Sequence, residues 1–388
     1  MRTALAVVLW TSLGLIVYAH AGYPILLALL ARLRGRDRGR GKAADPEEPL
    51  PRVSLIIAAH DEEATIERRV ENALALDYPP ERLEVIVASD GSSDRTVELA
   101  RAAATAGGIG RVRALDLPRG GKVPAQDAAV EEADGDVLAF SDANALWKPN
   151  ALRLLVRRLA EPGVGYACGQ LRYLASDGTN QEGAYWRYET GVRALESRLG
   201  SITAGNGAVY AVRREAYLRL DPRTSHDLSF PFNLVKRGWR AVYEPEAVAI
   251  ERPLASIEGE FRRKRRMMSH AWPAVLAGGM LDPRGYGALY ALEIYSHRLL
   301  RYATPLLHVV ALAANVPLAF GSVLYAAVLA AQLAFGAAAA LGRLTGGRPR
   351  PFGLAYYYVL VTASLAAGLW DWLRHGTPTT WERAEGRP

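Results

Sequence analysis

Residues Val53–Glu63 read VSLIIAAHDEE, and Leu83–Asp94 read LEVIVASDGSSD. Each is an apolar run of strand length that ends abruptly in polar and acidic residues. Runs this uniformly apolar suit strands buried on both faces, as in parallel sheets. The pattern returns at Asp136–Asn144, DVLAFSDAN. Between the runs lie EEATIERRVENALAL and SSDRTVELARAAATA, whose apolar spacing suits amphipathic helices. This alternation predicts βαβ units and a Rossmann-like, mostly parallel α/β sheet. Acidic groups at the carboxyl ends of such strands face one crevice, where open sheets hold ligands. Ser92 or Ser93 is placed to cap the second helix, with Asp94 favouring its amino end.

Outward from this block the chain turns apolar at both ends. Ala4–Ala31 carries no charge over 28 residues, enough for a tilted spanning helix and longer than a signal-peptide core. Arg32, Arg34, Arg36, Arg38, Arg40 and Lys42 follow, opposed only by Asp37, and supply most of the net charge of +7. This asymmetry predicts a multi-pass protein of the inner or plasma membrane whose α/β domain is cytoplasmic. The cations lie beside a membrane helix without interleaved aromatics, which argues against a nucleic-acid partner. Cys168 is the only cysteine, so an intrachain disulfide and a cysteine-built zinc site are excluded.

Beyond the α/β block, EFRRKRRMMSHAWPAVLAGGM (Glu260–Met280) is basic and amphipathic, as suits a membrane interface. Three apolar runs, about 302–320, 322–341 and 353–372, are each long enough to cross a bilayer. The expected organisation is a transmembrane helix at 1–31, a basic linker at 32–51 and an α/β domain at 52–255. Interfacial helices at 256–301, about three membrane helices at 302–373 and a tail at 374–388 complete it. One early crossing plus three later ones puts the arginine-bearing tail outside. Three alternatives stand: a re-entrant last run, insertion of 287–301, or a tail that disobeys the charge rule.

Several motifs occur in order. They are Ala58-Ala59-His60-Asp61-Glu62, Asp90-Gly91-Ser92, Gly121-Lys122-Val123-Pro124-Ala125-Gln126 and Ser141-Asp142-Ala143-Asn144. GNGAVYAVRRE (Gly205–Glu215) follows, then His226-Asp227 ahead of a Gly-aromatic pair and a strand-like stretch. From Val53 to about Glu251 the chain resembles the family 2 glycosyltransferases, the GT-A enzymes that include cellulose, chitin and hyaluronan synthases. It departs from that family's pattern at Ala58, Asp61, Asn144, His226 and Met267.

The resemblance implies a role for each matching residue. Glu62 and Asp90 accept hydrogen bonds from base and ribose, a carboxylate role known in other nucleotide folds. Lys122 offers a point charge to phosphate or sugar. Asp142, with Asn144 as a weaker oxygen ligand, holds Mg²⁺ or Mn²⁺ against the diphosphate. Asp227 is the general base for the acceptor hydroxyl. His226, where the family has an acid, either tunes Asp227 or caps the helix. In the cluster Arg262–Arg266, Arg266 stabilises the departing diphosphate and Arg263 binds substrate. The bland readings are a turn aspartate at 90, a solvated Lys122 and a basic helix gripping anionic lipid. His297, in Tyr295-Ser296-His297-Arg298, reads as a structural interfacial group.

The expected activity is inverting sugar transfer from a nucleoside diphosphate sugar, with UDP the expected nucleotide, to a growing polysaccharide or glycan. The alternative acceptor is a lipid at the interface, since about four spans is few for a polymer channel unless partner subunits share it. Two further readings are a non-catalytic nucleotide-sugar-binding membrane subunit and a nucleotidyltransferase. The second lacks the extended Gly-rich basic loop that its chemistry favours.

Overall fold

A computed structural model describes residues 1–34, 49–106, 111–173, 181–251 and 257–379. The linker cations Arg36, Arg38, Arg40 and Lys42, the expected domain end at 255 and the tail beyond 379 lie outside the described residues. Helix α1 (Arg2–Leu33) opens the chain, with a π turn at Tyr18–Gly22. Then β1 (Val53–Ala59), α2 (Ile66–Leu74), β2 (Leu83–Asp90), α3 (Thr96–Ala106), β3 (Val112–Leu117), α4 (Lys122–Glu132) and β4 (Val137–Asp142) alternate. β1 pairs in parallel with β2 and β4, and β2 with β3. All seven residues of β1 are buried. Leu55, Ile56 and Ile57 are wholly enclosed, each contributing about 1.5–3 kcal/mol from apolar burial.

The second half comprises β5 (Leu146–Trp147), α5 (Ala151–Leu159), β6 (Val164–Tyr173), α6 (Gln181–Leu199), β7 (Tyr210–Arg213), α7 (His226–Val235) and β8 (Arg240–Glu251). The sheet has the order β3-β2-β1-β4-β7-β6-β8-β5. β7 runs antiparallel to β4 and β6, and β5 antiparallel to β8, so this half is mixed. The reversal positions the site. Phe140 pairs with Tyr210, so the segment entering β7 lies beside Ser141 and Asp142 as they leave β4.

The chain continues through α8 (Ile257–Leu276), α9 (Ala288–Tyr302), α10 (Thr304–Ala319), α11 (Val323–Leu344) and α12 (Arg350–His375). Among the described residues, α1, α11 and α12 are long and apolar enough to cross a membrane. Large apolar side chains stand exposed on them, including Val17, Ile25, Leu333 and Leu354. The run at 302–320, expected as one crossing, forms a helix of 16 residues. Pro305 in its first turn cannot donate to the turn before, so the helix breaks at Ala303. α9 and α10 meet there at 60° and count as one broken span or as none.

α1 fastens the two parts together. Leu9 packs against Ala311, Ala314 and Leu318, while Tyr23 and Leu27 pack against Val192 and Leu199 of α6. Tyr18 bonds Ser296 at 3.0 Å, and Tyr23 donates to the buried Glu196 at 2.8 Å. His297 Nδ1 meets the same carboxylate at 2.6 Å, and Arg298 donates to Thr203 at 2.9 Å. His297 thus sits in a buried joint between the α/β domain and α9. On the other side α12 packs along α8, where Trp272 donates to the Leu365 carbonyl at 2.9 Å and Arg265 pairs with Asp371 at 2.6 Å.

Candidate functional site

The loops after β1, β2 and β4 tie one another down. Asp61 adopts φ +51°, a left-handed conformation that aspartate tolerates better than most residues. In that pose its carboxylate accepts the Ser93 N–H at 2.7 Å, and its own N–H donates to Ser92 Oγ at 3.1 Å. Asp94, rather than Ser92 or Ser93, caps α3, accepting the Thr96 N–H at 2.9 Å. The shorter serines are taken up by the first loop. Gly91 has φ +59°, and a Cβ there would lie 2.9 Å from the Arg119 nitrogen. Only glycine fits so close an approach.

Asp90 is buried, and its Oδ1 accepts the N–H groups of Gly120 and Gly121 at 2.7 and 2.9 Å. One of its oxygens therefore shapes the loop ahead of α4. Glu62 is half-buried and accepts a bond from Thr65 Oγ1 at 2.8 Å. Lys122 begins α4 and forms an ion pair with Asp142 at the end of β4, each about a quarter exposed. Beneath them lies Arg69, fully buried, donating to Ser141 Oγ at 3.1 Å and to Asn72 at 3.2 Å. Burial lowers its pKa to about 9, opposed by the charge of Asp142.

Asp142 and, two residues on, the half-exposed Asn144 offer hard oxygen donors at the strand end. Lys122 holds the place of a cation on that carboxylate. Among the described residues no group of three or more His, Cys, Asp and Glu gathers as a metal cage. Mg²⁺ and Mn²⁺ need no such cage when phosphates and water complete the shell. The residues fit such an ion.

Opposite, the GNGA loop enters β7. Asn206 accepts the Val209 N–H at 2.9 Å and donates to the Gly169 carbonyl, and Trp147 donates to the Ala208 carbonyl at 2.9 Å. A Cβ on Gly207 would come within 3.4 Å of Lys122 Nζ, so the loop borders that cation. His226 opens α7, but Ser225 holds the cap position, so His226 is no cap. Its Nδ1 bonds Tyr210 Oη at 2.8 Å within a cage of Phe140, Tyr217 and Phe230. Burial, then the charge of Lys122, pushes its pKa down to about 3, so it is neutral at ordinary pH.

Asp227 is half-buried in the first turn of α7, and the Gly205 N–H donates to its carbonyl at 2.7 Å. Its carboxylate makes no hydrogen bond or ion pair among the described residues. The buried Tyr210 phenol is held well above its ordinary pKa by burial, with the charges of Asp142 and Asp227 adding to the effect. The two carboxylates therefore flank one site. On the far side, Asp227 acts electrostatically on His270 of α8 and Tyr302 of α9. His270 Nδ1 bonds the Arg266 carbonyl one turn earlier at 3.0 Å, which places Arg266 on this side. Arg263 is committed elsewhere, paired with Glu260 at 2.8 Å and stacked over Tyr173.

Glycosyl transferase family 2 matches residues 54–243. Residues 54–243 belong to this family. A mannosyltransferase of Pyrobaculum calidifontis, solved with GDP-Man and Mn²⁺, superposes with a TM-score of 0.72 at 24 % identity. That match covers 96 % of this chain and 99 % of the other, and shows the GT-A fold. An N-acetylglucosaminyltransferase of Mesorhizobium japonicum is 28 % identical over 222 residues, 52 % of this chain and 51 % of that protein. A beta-monoglucosyldiacylglycerol synthase of Synechocystis is 35 % identical over 118 residues, 30 % of this chain and 25 % of that one. The chain spans about half the length of the first curated relatives it matches.

Arg69, His270 and Tyr302 escaped the sequence reading. Arg69 falls on a charged helix, where an arginine reads as solvated; only its offset onto the apolar stripe with Ile66 and Val70 hinted otherwise. His270 and Tyr302 lie far along the chain and carry no local signal.

Proposed function

We propose that this chain transfers a sugar from a nucleoside diphosphate sugar to a hydroxyl presented by a membrane-borne lipid or lipid-linked glycan, with inversion. The observation that carries the reading is the position of Asp227. Its charge reaches Tyr210, as that of Asp142 does, and it also reaches Tyr302 and His270, the latter on a helix that packs along α12. Among the described residues its carboxylate makes no hydrogen bond or ion pair, which leaves it able to accept a proton. The α/β domain is assigned to the cytoplasmic side on the arginine-rich stretch after α1.

Glu62 and the second oxygen of Asp90 serve base and ribose, while Lys122 turns from Asp142 to the diphosphate as donor binds. Asp142 and Asn144 would hold Mg²⁺ or Mn²⁺, which when bound supplies charge neutralisation to the phosphates. Asp227 removes the acceptor proton as that oxygen attacks the anomeric carbon and the bond to the diphosphate breaks. Arg266 and Lys122 stabilise the charge that grows on the leaving group. Arg263, paired as it is, serves by shaping the α8 surface.

The Synechocystis relative is named for a glucosylated diacylglycerol, which agrees with a lipid acceptor. A second reading, a growing polysaccharide, draws on the N-acetylglucosaminyltransferase relatives and on the synthases that the motifs resemble. The test is nucleotide release by the full chain from a panel of UDP- and GDP-sugars with Mn²⁺, with and without membrane lipid extract. The expected result is release from one donor, stimulated by extract, with sugar label passing into the organic phase. Label retained in aqueous polymer selects the second reading; release unchanged in Asp227→Asn overturns the base assignment.

A further inference from the structure

A cavity of about 470 Å³ lies on the side of α7 remote from the Lys122–Asp142 pair, between the α/β domain and the ends of α8 and α12. Its two walls differ in chemistry. The wall from the α/β domain sets Asp221, Arg223, Ser229 and Arg237 beside the apolar Leu220 and Phe232. The facing wall, from α8 and α12, is made by Pro273, Ala274, Ala277 and Trp372. This volume falls within the range of small-molecule sites, which are mostly apolar with a few placed polar groups.

Two observations point to an anionic occupant. Ser229 is 2 % exposed, lines the cavity, and its hydroxyl has no hydrogen-bond partner among the described residues. A buried hydroxyl left unpaired is uncommon, and a ligand oxygen would satisfy it. The charge balance of the wall is positive as well. Arg223 is answered by Asp221 at 2.6 Å, and Arg219 pairs with Glu131. Arg237 has no carboxylate partner among the described residues and bonds only the Asn233 carbonyl, at 3.0 Å.

The apolar wall indicates where the occupant comes from. Beside Trp372, the outer side chains Trp370 and Leu373 of α12 are 54 % and 66 % exposed, and Arg374 stacks on Trp370 at 4.2 Å. Aromatic and cationic residues at the end of a long apolar helix mark the headgroup level of a bilayer. We infer that this cavity binds the phosphate-bearing headgroup of an anionic phospholipid, with Arg237 and Ser229 on the phosphate and Trp372 against the start of the acyl chains. The inference rests on α12 being a membrane span and is independent of the transfer chemistry.

The test is native mass spectrometry of the detergent-purified full chain equilibrated with phosphatidylglycerol or phosphatidylcholine. The expected result is one retained phosphatidylglycerol with about tenfold preference, the scale of one charge-assisted hydrogen bond. Arg237→Gln and Ser229→Ala should each weaken that retention, and Arg262→Gln on the cationic stripe of α8 should not. Arg237 is exposed, so its variant folds whether or not Ser229→Ala does; thermal unfolding of each checks this. Equal retention of both lipids, or retention unchanged in Arg237→Gln, overturns the inference. Displacement by millimolar inorganic phosphate would reassign the site to free phosphate.

Discussion

The two sides of the site are built on different terms. On the donor side, Asp90, Lys122 and Asp142 sit at the ends of parallel strands or on the helix between them, and each is held by a bond the chain itself supplies. On the acceptor side, Asp227, Arg266, His270 and Tyr302 come from three elements distant in sequence, and among the described residues the Asp227 carboxylate makes no hydrogen bond or ion pair. On the proposed reading, the site for a common ligand, the nucleotide, is preformed. On the same reading, the place where an acceptor enters and a proton moves is left open and leans on α8 and α9.

If that division is right, the acceptor side should carry chemistry and the donor side affinity. Asp227→Asn should lower the transfer rate about 10²–10⁴-fold, the range for a lost general base. Nucleotide-sugar binding by calorimetry should be unchanged, and a matching loss of affinity would erase the distinction. Asp142→Asn should weaken donor binding by about 10–100-fold and flatten its dependence on Mn²⁺, while chelation of the wild type should reproduce that loss. Gly91→Ala probes how rigid the donor loop is. A Cβ at φ +59° and 2.9 Å from the Arg119 nitrogen should cost about 1–3 kcal/mol, read as a lower unfolding midpoint.

The smallest effect concerns His226, which touches both sides. In the unfolded chain it titrates near its ordinary 6.5. In the fold burial and then Lys122 hold it at about 3. The unfolded state therefore takes up the proton first as pH falls. Stability is intact above about pH 6.5 and declines by up to about 1.4 kcal/mol per pH unit between there and pH 3. Unfolding midpoints at pH 7.5 and 5.5 should separate in the wild type and draw together in His226→Gln. A wild type with no such separation would place His226 in contact with water.

The same division explains what was legible beforehand. Val53–Ala59, Leu83–Asp90 and Val137–Asp142 announce themselves because a strand buried on both faces must be apolar throughout, and its last residues turn polar where it meets the crevice. The motifs at those ends followed directly. Pairing direction in the second half of the sheet did not, because the antiparallel run of β7 is set by partners more than forty residues away at Val164–Tyr173 and at β4. The α3 cap lies one or two residues beyond the expected Ser92 or Ser93, since Asp61 claims the Ser92–Ser93 turn from outside the local sequence. Arg263 and Arg266 look alike in the run of cations; only Glu260, one turn earlier, tells them apart by pairing with Arg263. The 302–320 run reads as one span by hydropathy, and the break depends on the single residue Pro305.

The helix α1 has a consequence for how the protein is made. Its partners Glu196, Ser296 and Ala311 lie in distant parts of the chain, and the Tyr18–Ser296 bond joins residues 278 apart. At about 5–20 residues per second, the first helix waits roughly 15–55 s between its own synthesis and that of Ser296. Tyr23 gains Glu196 once α6 has been made, but Tyr18 lacks Ser296 through the whole interval, and the α/β domain is completed before α9–α12 exist. Assembly therefore ends with the last helices closing over a domain and an anchor already in place.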